Sequence, residues 1–177
     1  MGGLTLREVA RRARLSHAAP GRLFGDLRGM LTAFAVRGFH ELARREQEAI
    51  AAAPTGSDAL AAVGRAYVQF ALDEPEAFDL MFREEHLDVS DPAYVEATTA
   101  ALGALFDALK RAFGEGSIRD EDRTAVAVAA WSLVHGLATL HAGGRLRERI
   151  PDDPKDLAER ITALFVAALR AHAQAEP

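Results

Sequence analysis

The first thirty residues constrain this chain most, because they hold two apolar-striped segments too short to be stable alone. Leu6, Val9, Ala10 and Ala13 fall on one helical stripe. Thr5 stands in front of them as a cap, and Glu8 three positions later completes a capping box. Ser16 is the next cap, with Ala18, Ala19, Arg22 and Leu23 behind it. Helices this short bury little surface, so both must pack on a third element. A helix-turn-helix has this form, and its second helix enters the major groove of double-stranded DNA.

Charge separates this head from the remainder of the chain. The whole chain carries −5, yet residues 1–50 hold nine Arg (Arg7, Arg11, Arg12, Arg14, Arg22, Arg28, Arg37, Arg44, Arg45) against five acids (Glu8, Asp26, Glu41, Glu46, Glu48). That leaves +4 on the head and −9 on the other residues. A basic head on an acidic body fits contact with phosphate at one end only; ordinary solvated helix surface is the alternative. With no Cys, a disulfide scaffold, a thiol nucleophile and a Cys-ligated metal are excluded, and a reducing, cytoplasmic setting is expected. The sequence has no signal peptide and no unbroken apolar run of about 18 residues, so no membrane partner is expected.

Beyond the head the chain reads as helices. Residues 27–53 are periodic through Leu31, Phe34, Ala35, Phe39, Leu42 and Ala43, and Pro54-Thr55-Gly56 ends them. Ser57 or Asp58 opens a helix to about Asp73, with Leu60, Val63, Tyr67, Phe70 and Ala71 inward. Pro75 starts a short helix. Arg83 to Asp91 is a polar connection. Pro92 opens a helix to about Phe113, with Val95, Leu102, Leu105, Phe106 and Leu109 on its apolar face. Residues 120–142 are apolar on most sides and are expected to be buried on more than one face. Pro154 opens a last amphipathic helix with Leu157, Ile161, Leu164 and Ala168 in line. The last two helices, doubled by symmetry, would make a four-helix interface between two copies; burial within one chain is the alternative. The fold expected is all-α, divided into a head at residues 1–48 and a helical body at residues 49–177.

Catalytic and metal signatures are weak. None of the six His (His17, His40, His86, His135, His141, His172) pairs with another at helical ligand spacing. Ser132 and His135 lie mid-helix without a nucleophile elbow. Gly114-Glu115-Gly116-Ser117 lacks the Lys and the length of a phosphate loop. No cofactor and no metal are expected.

The segment Thr5-Leu6-Arg7-Glu8-Val9-Ala10-Arg11-Arg12-Ala13, then Leu15-Ser16 and Phe24, resembles the DNA-binding signature of tetracycline-repressor-like (TetR) transcriptional regulators. Tyr67-Val68-Gln69-Phe70-Ala71, Glu74-Pro75, Met81-Phe82 and Trp131-Ser132-Leu133-Val134-His135-Gly136-Leu137 are similar to a C-terminal subclass named for its Trp-His-Gly motif. The resemblance implies an all-helical homodimer, a small DNA-binding head and a ligand pocket in each body. It places Thr5, Arg7, Ser16, His17, Ala18, Ala19, Arg22 and Arg28 at the DNA. Phe70, Phe78, Met81 and Phe82 either wall the pocket, with Tyr94, Phe106, Trp131 and His135, or simply fill the core.

The sequence departs from the family pattern in the head. Only Met1-Gly2-Gly3-Leu4 precede Thr5, where members carry a further helix. Arg14 stands where the turn usually holds Gly. Gly21, Leu23 and Leu27 replace the usual polar contacts. The expectation is a head that is incomplete as written, with weak DNA binding. The function expected is a ligand-responsive regulator, a repressor, taking a small apolar or amphipathic effector. The alternatives are a dimeric small-molecule-binding protein whose head no longer holds DNA and, remotely, an all-helical enzyme.

Overall fold

Where the sequence spaces apolar residues at the helical period, helix forms. The computed structural model describes residues 5–114, 119–146, 150 and 152–175, and among them there is no strand. Helix α1 (Leu6–Arg12) is capped by Thr5, whose Oγ1 accepts the Glu8 N–H at 3.2 Å. Glu8 does not reach back to close the expected box. Its carboxylate instead holds Arg11 and Arg12 at 2.6 and 2.7 Å.

The turn after α1 puts Arg14 at φ 55°, the left-handed region that glycine tolerates best. Arg14→Gly is expected to stabilise the head by about 1 kcal/mol. Slower amide exchange across residues 6–24 would register it; unchanged exchange would refute it. Helix α2 (Ala19–Phe24) starts later than Ser16 suggested. Ser16 offers no side-chain cap; its carbonyl accepts the Ala19 N–H at 3.0 Å. Pro20 sets the start, since its missing N–H costs nothing in a first turn.

Asp26 caps the long helix α3 (Leu27–Ala52) by accepting the Gly29 N–H at 2.8 Å. Helix α4 (Gly56–Asp73) is capped one step earlier than expected, by Thr55. The body continues through α5 (Pro75–Met81), a single 3₁₀ turn (Glu84–His86), α6 (Pro92–Phe113), α7 (Asp120–Ala142) and α8 (Pro154–Ala175). Helix α4 is central and touches α3, α5, α6, α7 and α8. Two apolar clusters result. One gathers Phe39, Leu42, Val68, Phe70, Met81 and Tyr94; the other gathers Ile50, Leu60, Val63, Leu105, Leu109 and Val166.

Several residues expected inside are exposed. Phe34 faces out under the Arg37 guanidinium, 5.4 Å from its ring centre. Val95, Leu102 and Phe106 of α6 are exposed as well. Helix α7 is apolar all round, but one chain covers only part of it: Val128, Trp131, Leu133 and Leu140 remain exposed. Leu164 on α8 is 71% exposed. By length and composition alone, residues 121–142 would also suffice to cross a membrane. A reading by unbroken runs misses this because Ser132, His135 and Thr139 interrupt the segment. In the fold α7 packs against α4 and α8.

Candidate functional site

Between the two apolar clusters lies a cavity of about 290 Å³. Helices α3, α4, α6, α7 and α8 each contribute to its wall, and Phe82 and Glu84 close it beyond α5. Gly64 permits the close approach of helices here. A Cβ at that position would stand 2.6 Å from Thr162 Oγ1 and 3.2 Å from Val134 Cγ1.

Rings form much of the wall. Phe82 lies 5.8 Å from Phe39 and 6.3 Å from Trp131, centroid to centroid, and Phe39 lies 5.7 Å from Tyr94. The Trp131 indole N–H donates to the Tyr67 hydroxyl at 3.2 Å. The same hydroxyl shares a hydrogen bond with His135 Nδ1, 2.8 Å away, and donates it when that ring nitrogen is unprotonated. Burial lowers the pKa of His135, which keeps the ring neutral and able to accept. Burial likewise raises that of Tyr67. This trio is closed on itself.

Glu46 is the exception. It is 3% exposed, it lines the cavity, and among the described residues its Oε2 has no hydrogen-bond partner. Desolvation pushes its carboxyl up to about 8. Sequence reasoning counted Glu46 only as one acid of the head. Its spacing carried the signal, because Phe39, Leu42, Glu46 and Ile50 fall on one buried stripe of α3. A carboxylate on such a stripe needs a partner or a purpose.

The residues expected to bind a ligand separate into two groups. Phe82, Tyr94 and Trp131 line the cavity. Phe70, Phe78 and Met81 are buried in the core beside it; the Arg45 guanidinium covers the Phe70 ring at 5.4 Å. His135 stands behind Tyr67, and Phe106 faces outward. Apolar residues at helical spacing look alike in sequence whether they wall a space or fill it.

In the head, Arg7, Ser16, His17, Ala18 and Arg22 are exposed, and Ala19 is half-buried. Among the described residues Arg7, Arg14 and Arg22 have no ion-pair partner, whereas Glu8 occupies Arg11 and Arg12. Arg28 is engaged elsewhere. Its Nε donates to the Leu87 carbonyl at 2.8 Å. One residue on, the Asp88 N–H donates to Thr32 Oγ1 at 2.8 Å. The connection from Arg83 to Asp91, read from sequence as merely polar, is thus a strap. It leaves the cavity wall at Phe82 and Glu84 and grips the start of α3, against which α2 packs.

A helical body with a ring-lined cavity, carrying two short basic helices of which the second packs on its longest helix, defines an all-α protein with a helix-turn-helix-like head. The model of the tetracyclin repressor-like C-terminal domain matches residues 60–165. A Rhodococcus sp. protein of unknown function is 32% identical, with a TM-score of 0.79, covering 94% of this chain and 84% of that one. A TetR family transcriptional regulator from Thermus thermophilus shares the fold at 17% identity and a TM-score of 0.71, covering 93% of this chain and 88% of that one. So does a Rhodococcus regulatory protein of the same family, at 19% identity and a TM-score of 0.71, over 95% and 87%. No curated protein matches the chain. The chain belongs to the tetracycline-repressor-like family of transcriptional regulators.

Proposed function

We propose that this regulator is a ligand-responsive repressor: a homodimer whose heads hold double-stranded operator DNA and whose body cavities take a small, largely apolar effector. The observation that carries the reading is the strap. The cavity wall at Phe82 and Glu84 and the grip on Arg28 and Thr32 belong to one short segment. An effector that moves the wall therefore biases the orientation of α3, and with it the head.

Residues 1–48 serve as the head and 49–177 as the body. Thr5, Arg7, Ser16, His17, Ala18, Ala19 and Arg22 face the DNA, with Arg7 and Arg22 supplying uncommitted charge. Arg28 acts as a positioning residue, because the Leu87 carbonyl already holds its guanidinium. Phe82, Tyr94 and Trp131 touch the effector. The Tyr67–His135–Trp131 trio supports placement in the Trp-His-Gly subclass. The exposed apolar residues of α7 and α8 support pairing of two copies through a four-helix interface. In the cytoplasm such a dimer would set its heads about 34 Å apart or more, to reach successive groove faces.

The reading is tested by electrophoretic shift of the intergenic DNA upstream of the coding sequence. The protein is expected to select a two-fold symmetric site, and Arg22→Ala to weaken it by about 1–3 kcal/mol if that side chain reads a base. No shift of any fragment, with the cavity still taking a small molecule, would instead point to a small-molecule-binding protein with an idle head.

A further inference from the structure

The cavity's polar groups restrict what can occupy it. Thr98 Oγ1 donates to the Tyr94 carbonyl at 2.9 Å, and Thr162 Oγ1 to the Ala158 carbonyl at 2.7 Å. The Tyr67 hydroxyl is engaged by Trp131 and His135. Glu46 alone is left over, buried and with an orphaned oxygen. The lining holds a second carboxylate, Glu84, exposed at the rim, and no Lys, Arg or His. An anion would find no counter-charge there and two carboxylates against it. A purely apolar guest would leave Glu46 buried and unpaired, with no gain to set against that cost. A cation would pair with Glu46 and lie among ring faces, the arrangement that proteins use for ammonium groups.

Resting on the effector-cavity reading, we propose that the cavity takes an organic cation: an alkyl- or arylammonium whose apolar part fills the ring-lined space between the two clusters and whose charged nitrogen is received by Glu46. The raised pKa of Glu46 fits this assignment. Near neutral pH the empty site keeps its proton, and the arriving cation expels it. The other titratable groups in and beside the wall do not compete for that role. Tyr67 on α4 and Tyr94 on α6 are both shifted up by burial, and so stay uncharged. His135 on α7 is shifted down. Helix α8 presents Thr162 and Phe165, neither of which titrates, and Glu84 stands at the rim.

The test uses a charged probe and its carbon isostere, benzyltrimethylammonium and neopentylbenzene, titrated into the full-length protein. Trp131, the single tryptophan of the chain, reports occupancy by its fluorescence. The ammonium is expected to bind about tenfold more tightly or better, the net gain of pairing its charge with the buried Glu46 carboxylate. Glu46→Gln should erase that preference while neopentylbenzene still binds. Equal binding of the two probes, or a preference that survives in Glu46→Gln, would overturn the cation and leave the cavity reading standing. Binding of neither would overturn both. Should the variant fail to fold, the native protein decides alone. Affinity for this permanently charged probe should rise with pH up to about 8, by at most about tenfold per pH unit, and then level off. A flat profile would refute the proposal.

Discussion

Glu46→Gln should make the protein more stable at pH 9 by about 5 kcal/mol and remove a loss of stability that the native chain suffers above pH 5. The sign follows from the raised carboxyl. Its value is 4.5 in an unfolded chain and about 8 when folded. Below pH 4.5 both states hold the proton, and Glu46 contributes no pH dependence. Between 4.5 and 8 the unfolded chain releases the proton and the folded chain keeps it, so rising pH favours unfolding by up to about 1.4 kcal/mol per unit. Above 8 the penalty stops growing. His135 slopes the other way at lower pH, because its folded pKa is depressed, but it does so in both proteins. The difference between their curves therefore isolates Glu46. In thermal melts the variant should gain about 10–20 °C at pH 9 and nothing at pH 4. Parallel curves from pH 4 to 9 would show that Glu46 has a partner in solution.

Leu164→Asp should convert a dimer into monomers. Leu164 is the most exposed large apolar side chain of α8, and Val128, Leu133 and Leu140 extend the apolar surface along α7. An obligate interface built from two such helices on each copy would bury about 2,000 Å² or more. Near a two-fold axis the substitution sets a carboxylate of each copy into that surface, desolvated and unpaired. A penalty of about 3 kcal/mol or more weakens dimerisation at least about 100-fold. Sedimentation equilibrium at micromolar concentration should give twice the 19.0 kDa chain mass for the native protein and the single mass for the variant. A native monomer would show that the exposed face of α7 has another use.

Much of the fold was legible because helices announce themselves through a period, and caps through single residues. Thr5 and Pro92 mark their helices in sequence and in space alike. Ser16 misled because Pro20, four residues later, fixes the start of α2 more firmly than a hydroxyl does. For helix α7 the sequence left the cover open between a second copy and the same chain, for a physical reason. An apolar surround says that something must cover the helix, but not whether the cover belongs to the same chain. Phe106 and Val95 raise the same ambiguity on α6. The cavity was half legible. Phe82, Tyr94 and Trp131 were anticipated, whereas Phe70, Phe78 and Met81 proved to be filling and not wall. The polar centre of the site, Glu46, was missed because a count of charges does not ask which face each charge occupies. The strap was missed too, since Leu87 and Asp88 act through backbone groups that sequence does not distinguish.

The central claim is that occupancy of the cavity sets the affinity of the head for DNA. It is measured most directly as fluorescence anisotropy of a labelled upstream fragment, with the cavity empty and with it saturated by whichever probe the Trp131 signal shows to bind. The account predicts that saturation changes DNA affinity by about 5- to 150-fold, and that DNA shifts probe affinity by the same factor. Equal DNA affinity in the two states, with the cavity demonstrably full, would contradict it.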